Sequence, residues 1–460
     1  MSSYDLSRSS VQIPPLRAGR RPNGEANKLC LEDRPAHDWY RFVLSFPPHL
    51  VRDYLDRFGI DRTHTVLDPF CGTGTTLVEC RKHGIPSIGT EANPMAHFAS
   101  RVKVDWSPDP DGLEEDAAGI AEETSKELGA EGVREDPVLC MESKSPYLAL
   151  RTLPPERQAL LLTDSMSELP LHKTLVLLDC IERHRDDRYR DHERLALAKA
   201  LVFSISNLQF GPEVGVGPKK EDAEVVTAWL SAVRAMCDDL RILRPTQDAP
   251  CDVHLADARQ IGDILKPNSV DAVITSPPYP NEKDYTRTTR LESVILSFIR
   301  DKAELRALKH GLVRSNTRGV YKGDDDDEFI SSHPKIHRLA EAIEARRIEL
   351  GKTSGFERLY ARVTKLYFGG MARHLAQLRT ILRPGAQLAY VVGDQASYLR
   401  VMIRTGQLLA DIAQSLGYEL VGIDLFRTRL ATATREQLRE EIVVLRWPGT
   451  TQTDGRTPNA

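Results

Sequence analysis

Two hydrophobic periodicities alternate along the chain and divide it into blocks. Between His37 and Trp106, apolar residues at helical spacing over Pro48 to Phe58 lead into the β-rich run THTVLDPF, a Gly-rich turn, a helical stretch from Thr75 to His83, and a second strand within IPSIGTEAN. This is a βαβ unit entered at its first strand. A second block opens near Asp252 with CDVHLADARQI and continues through VDAVITSPPY and LRPGAQLAYVVGD. It ends in a helix expected from Met402 to Leu416 and the strands YELVGIDLFRTR and REEIVVLRW. These runs complete one doubly wound α/β sheet of Rossmann-like type, split in two along the chain.

The material between the halves has a different period. Residues 107–250 are dominated by helical spacing, as in PPERQALLL, LHKTLVLLDCIERH and AEVVTAWLSAVRAMCDDL, and are expected to form a helical insertion that is a candidate for target recognition. Inside the second half, about 286–365, lies a further insertion with basic and acidic runs and the helix-like IHRLAEAIEARRIEL. The expected organisation is therefore a first half-domain over 31–106, the helical insertion over 107–250 and a second half-domain over 251–450. Residues 1–30 and 451–460, poor in apolar periodicity, are expected to be disordered ends.

Composition narrows the class. Of 460 residues, 41% are apolar, enough for a full core, and no run of about 18 apolar residues suggests membrane spanning or export, so a cytoplasmic protein is expected. Seven cysteines occur without a CxxC pair, which argues against a zinc ribbon or a disulfide framework. No HExxH or HxH occurs and no metal site is expected. GDDDDEF at 323–329 lacks alternating ligands and a closing Glu, so it reads as a solvated acidic turn. The net charge of −4 excludes a histone-like binder, so any grip on phosphates must come from a local basic face.

The turn VLDPFCGTGTT carries the first candidate site. A strand ends at Asp68, and Gly72 and Gly74, lacking Cβ, let the chain turn sharply and a ligand approach the backbone before the helix begins at Thr75. Pro69 and Phe70 would wall the pocket, and Asp68 could accept a hydrogen bond from a cationic amine. Glu91 follows about twenty residues later, the spacing at which a carboxylate grips ribose hydroxyls in dinucleotide-type folds, with Asn93 beside it; the same spacing also fits a surface Glu. Asp257 could accept from an adenine amino group, or be a solvated loop residue.

The second candidate site is VDAVITSPPY. Prolines cannot continue a ladder, so the segment leaves the sheet at its carboxyl edge, where ligands of doubly wound folds bind. The Ser276 hydroxyl and the Pro277 carbonyl become acceptors, Pro278 removes an N–H, and Tyr279 offers a flat face. Two acceptors converging on an amine beside an aromatic ring suit an extruded nucleobase.

Together VLDPFCGTGTT and TSPPY resemble the amino-methyltransferases of bacterial restriction, modification and defence systems, the DNA N4-cytosine and N6-adenine methylases. The resemblance covers about half the chain. It implies a class I methyltransferase sheet and S-adenosyl-L-methionine as cofactor, held through Asp68, Phe70, Gly72 and Gly74. It also implies catalysis through Ser276, Pro277, Pro278 and Tyr279, in which the base amine, its hydrogens drawn out of plane, attacks the sulfonium methyl without a covalent enzyme intermediate. Double-stranded DNA with the target base flipped is the implied substrate, and a cognate restriction nuclease or defence-system subunit the implied partner. Adenine enzymes usually begin the second motif with Asp or Asn, so Ser276 tips the choice to cytosine N4. SFPPHLVRDYLDRFG looks like the helix that closes over the methionine end of the cofactor. TSPPYPNEKDYTR resembles a subgroup in which Asn281, Asp284, Tyr285 and Arg287 line the same edge. Arg314 and Arg318, in LVRSNTRGVYK, are expected to reach DNA phosphates. Adenine-N6 methylation is one alternative. Another is a tRNA-type guanine-N2 enzyme, which shares such motifs but carries a sizeable RNA-binding domain before the turn, whereas 67 residues precede Asp68 here.

Overall fold

The computed structural model describes residues 27–41, 45–135, 149–184, 186–210, 214–246, 249–281, 283–430 and 437–449. Nine strands are described: β1 (Val66–Asp68), β2 (Ser87–Glu91), β3 (Leu208–Phe210), β4 (Val214–Val216), β5 (Cys251–Leu255), β6 (Val270–Thr275), β7 (Leu382–Gly393), β8 (Glu419–Leu430) and β9 (Gln437–Arg446). Seven of them form one sheet in the order β5-β2-β1-β6-β7-β9-β8. The neighbours from β5 to β7 are parallel, while β9 is antiparallel to both β7 and β8. The strand order reverses beside β1, so the carboxyl ends of β1, β2 and β6 open onto one crevice.

Alternation along the strands divides the core. Leu67, Val273, Leu388, Tyr390 and Val443 face one cluster, with helices Tyr360–Leu378 and Thr405–Ser415. Val66, Ala272, Ile274, Ala389 and Ile442 face the other, covered by helix Pro48–Phe58. That helix places Leu50, Val51, Tyr54, Leu55 and Phe58 at helical spacing on its buried face and stops at Gly59, which takes the left-handed conformation at its C-cap.

The described part of 107–250 holds the helices Pro110–Ala130, Glu168–Arg183, Asp187–Ala200 and Val225–Leu243, with the strands β3 and β4 among them. They interrupt the sheet between β2 and β5. Around FGPEVGVGPKK, β3 and β4 pair antiparallel, and residues 211–213 lie outside the described residues. The expected disordered ends also fall largely outside them. The helix expected from Met402 begins instead at Thr405, because Ile403 exchanges backbone hydrogen bonds with Gln395 and so cannot enter the helical ladder. No described helix is long and apolar enough to cross a membrane.

The acidic run at 323–329 is solvated only in part, with Asp325 and Glu328 exposed. Asp324 pairs with Arg314, and buried Asp326 pairs with Arg259 and Arg373. Three arginine and two carboxylate side chains close to one another offset part of what the linear sequence presents as a block of like charge.

Candidate functional site

The carboxyl ends of β1, β2, β5 and β6 surround a cavity of about 590 Å³, a size typical of small-molecule sites. Its walls are built in layers. At the base, Asp68 ends β1 fully buried, and its Oδ1 accepts hydrogen bonds from the Thr275 hydroxyl (2.6 Å) and the Phe70 N–H (3.2 Å). Its Oδ2 is buried and has no partner among the described residues. Burial pushes the Asp68 carboxyl up to about 6, against the lowering pull of its hydrogen bonds. Asp68 therefore lies beneath the lining residues Pro69 and Phe70 rather than among them. The Phe70 ring rests edge-on against His374, whose two ring nitrogens are engaged by the Ala258 carbonyl and the Tyr390 hydroxyl.

The Gly-rich turn forms the next layer. Gly72 has φ +52° and Gly74 φ +83°, conformations that favour glycine, and a Cβ on Gly74 would stand 3.0 Å from Ser100 Cβ. Glu91 ties the turn to β2. Its Oε2 accepts from the Gly72 N–H (2.9 Å) and its Oε1 from the Asn93 N–H (2.8 Å). Burial pushes Glu91 up to about 7 despite these bonds. Asn93 in turn caps helix Pro94–Lys103, accepting from the Met95 N–H. Pro69, Phe70, Gly72, Thr75, Glu91, Asn93 and Asp257 all line the cavity; Gly74 shapes the turn behind them. Both oxygens of Asp257 are engaged by the Arg259 guanidinium, so this residue is an ion-pair partner as well as a lining group.

Ser276, Pro277, Pro278 and Tyr279 form the opposite wall. The Ser276 hydroxyl donates to the Val391 carbonyl at 3.1 Å, which commits its proton to β7 and leaves its lone pairs as acceptors. No described residue donates to the Pro277 carbonyl. The Tyr279 ring packs over Gly393, where a Cβ would come within 3.0 Å of Cε2. Asn281, Asp284 and Tyr285 continue this wall. Asp284 caps the short helix Tyr285–Thr288 and pairs with Lys309 at 2.9 Å, and burial pushes the Tyr285 phenol up to about 12.

Two expected positions differ, Arg287 and Arg314. Arg287 is not among the lining residues, because two positions along a helix from Tyr285 it faces the other way. Arg314 lines the cavity but is only 4% exposed. Its guanidinium pairs with Asp324 and donates to the carbonyls of Lys309 and Leu312, so it holds its own loop rather than reaching outward. Arg318 is exposed on the turn Thr317–Gly319 and does not line the cavity. Likewise helix Pro48–Phe58 packs on the sheet, and of the described residues of SFPPHLVRDYLDRFG it is Ser45 and Phe46, ahead of the helix, that reach the cavity.

Several lining residues have no counterpart in the linear motifs. Lys309 comes from the second insertion, and Arg427, Arg429 and Glu440 from the ends of β8 and β9; Lys283 and Asn316 also line the cavity, within TSPPYPNEKDYTR and LVRSNTRGVYK but with no role expected of them there. The only linear hint of the strand-end residues was alternation, since Arg427 and Arg429 sit two apart on a terminal strand.

A seven-stranded sheet in this order, with a Gly-rich turn after β1 and SPPY after β6, is a Rossmann-like methyltransferase fold. Residues 21–100 match the model of a DNA methylase family, that of the N6 and N4 methyltransferases. The Type II methyltransferase M.BsoBI of Geobacillus stearothermophilus is 25% identical over 92% of this chain and 85% of its own length. The Type II methyltransferase M.AvaI of a Nostoc species is 23% identical over 92% and 88%. A shorter match, 38% over 69 residues (15% of this chain and 13% of the relative), is to the Type II methyltransferase M.MjaII of Methanocaldococcus jannaschii. These similarities support a DNA amino-methyltransferase, a class of enzyme that takes its methyl group from S-adenosylmethionine. The residues present fit that cofactor. A buried carboxylate oxygen of Asp68 lacks a donor, and Gly72 presents a backbone without Cβ at the cavity wall.

Proposed function

We propose that the chain methylates the N4 amino group of cytosine in double-stranded DNA at specific sites, in a restriction-modification or defence setting, with a nuclease or defence subunit as its functional partner. The observation that carries the cytosine reading is Ser276, at the head of SPPY, with its proton already given to Val391. A hydroxyl held in this way accepts from an amine. Bound S-adenosylmethionine, held by Phe70, Gly72, Glu91, Asn93 and Asp257 above buried Asp68, supplies the electrophilic methyl group. The chain's own task is to present the amine. Ser276 Oγ and the Pro277 carbonyl each accept one amine hydrogen, which draws the hydrogens out of the ring plane and localises the nitrogen lone pair. Tyr279 stacks on the extruded base, and Pro278 and Phe426 help to exclude water. Fixed acceptors of this kind act most strongly as the amine rehybridises, so they favour the transition state over the bound base. Residues 31–106 and 251–450 act as one catalytic unit. The insertion at about 286–365, which contributes Lys309, Gly311 to Asn316 and Gly319 to the cavity, is the substrate-facing one.

The test is mass spectrometry of DNA digested after reaction with labelled cofactor. N4-methylcytosine is expected; N6-methyladenine would move the target to adenine, and no methylated base would remove the activity. Ser276→Ala should keep cofactor affinity and lose turnover. Tyr279→Ala should instead weaken retention of the flipped base by about 1–3 kcal/mol. Wild-type rates in both variants would displace the catalytic site.

A further inference from the structure

Of the arginines expected to grip DNA, Arg314 is buried, and Arg318 is exposed between the lining residues Asn316 and Gly319 without lining the cavity itself. The sheet supplies others. The ladder between β7 and β9 ends at Gly393↔Glu440, but β8 and β9 continue beyond it through Thr428↔Arg439, Arg429↔Leu438 and Leu430↔Gln437. Because β8 runs parallel to β7, this overhang projects from the carboxyl edge of the sheet as a two-stranded arm beside the cavity. Phe426, Arg427, Arg429, Leu430, Leu438 and Glu440 of the arm all line the cavity.

The side chains grade from fixed to free along the arm. Glu440 is buried and accepts from Arg427 at 2.5 Å, closing the arm's base over Tyr279 and Gly393. Arg429 stands 3.5 Å from the same carboxylate and is 41% exposed, so its fork retains free donors at the rim. Leu430, beside it, is 67% exposed, an aliphatic side chain turned out to solvent where the cavity opens. A basic fork and an unburied aliphatic side chain at the mouth of a cavity sized for a base match the two needs of nucleotide extrusion. One is a contact to the backbone phosphate next to the flipped nucleotide. The other is an apolar group that fills the stack it leaves.

We propose that the β8–β9 arm is the element that holds duplex DNA with the target nucleotide turned out, Arg429 gripping a flanking phosphate and Leu430 entering the vacated stack. The proposal rests on the reading of the chain as a DNA methyltransferase, but its test needs no methyl transfer, so the two can fail separately. The full chain is titrated by fluorescence anisotropy with a mixed-sequence duplex, intact or carrying one abasic site, over a series of salt concentrations. Arg429→Ala should bind the intact duplex about tenfold more weakly and lower the salt slope by about 1. Arg439→Ala removes the same charge from an arm residue that does not line the cavity, and should do neither. Leu430→Ala should lose the wild-type preference for the abasic duplex over the intact one. Calorimetric S-adenosylmethionine affinity reports that each variant is folded. An unchanged salt slope in Arg429→Ala, or an equal loss in Arg439→Ala, overturns the phosphate grip. A preference for the abasic duplex that is absent from the wild type or survives in Leu430→Ala overturns the wedge.

Discussion

Burial, more than charge pairing, governs the two carboxylates at the ends of β1 and β2. Asp68 rises to about 6 and Glu91 to about 7, in both cases chiefly through desolvation. Their ordinary values are 3.8 and 4.5. A carboxyl raised in the folded state favours folding while it is protonated, so this contribution is complete below the ordinary values and is lost as pH rises through the raised ones. Ligand binding has the opposite sign. If the ionised carboxylates receive the cofactor's ammonium and ribose hydroxyls, S-adenosylmethionine affinity should climb between about pH 5 and pH 8 as both groups lose their protons. Isothermal calorimetry across that range, with Glu91→Gln alongside, checks this. The variant should bind more weakly at pH 8 and show a shallower climb, whereas a wild-type profile flat in pH would separate these carboxylates from cofactor binding.

Among the elements, those legible in the sequence were ones whose local chemistry and tertiary role agree. VLDPFCGTGTT reads as strand, turn and helix because its glycines take left-handed backbone conformations in the structure, and VDAVITSPPY ends its strand where its prolines begin. Elements defined by distant partners were not legible. Asp324 and Asp326 looked solvated because Arg314, Arg259 and Arg373 are separate from them in sequence. The overhang of β8 and β9 depends on where β7 stops, which no residue of β8 records. Helix Tyr360–Leu378 shows the same dependence in its glycines. A Cβ at Gly369 would lie 1.9 Å from the Asp326 carbonyl oxygen, a backbone atom that cannot step aside alone. Gly129, in helix Pro110–Ala130, has nothing within 4 Å of the same position. Helix propensity favours alanine at both by roughly 0.5–1 kcal/mol. Gly129→Ala should therefore stabilise by about that amount, while overpacking makes Gly369→Ala destabilising by about 1–3 kcal/mol. Urea unfolding of the two variants reads the opposite signs; a stabilised Gly369→Ala would mean that the helix and the acidic turn are not packed as described.

At the scale of the whole molecule, the question is whether the helical insertion is an appendage or part of the same cooperative unit. Chain order suggests an appendage, since residues 107–250 separate β2 from β5. Packing indicates one unit. A single apolar cluster joins Leu113, Ile120, Val176, Leu195 and Trp229 of the insertion to Leu77, Met95 and Phe98 beside the sheet and to Leu291 and Ile295 of the second half. Polar contacts tie the same parts together. The Trp39 indole donates to Asp239 at 2.7 Å, and Arg194 and Arg157 of the insertion donate to the Leu296 carbonyl and the Ser297 hydroxyl. An interface of this kind cannot open without exposing the apolar face that also covers helices Thr75–Lys82 and Pro94–Lys103, the two helices that follow the Gly-rich turn and Glu91. Scanning calorimetry should accordingly show one unfolding transition. S-adenosylmethionine at about 100 times its dissociation constant should stabilise that transition by about 2.7 kcal/mol, and all of it should move. Circular dichroism at a helical wavelength and tryptophan fluorescence, which in the insertion reports Trp229, should follow the same curve. Two transitions, of which the cofactor shifts one and leaves the other in place, would instead make residues 107–250 a separately folding domain.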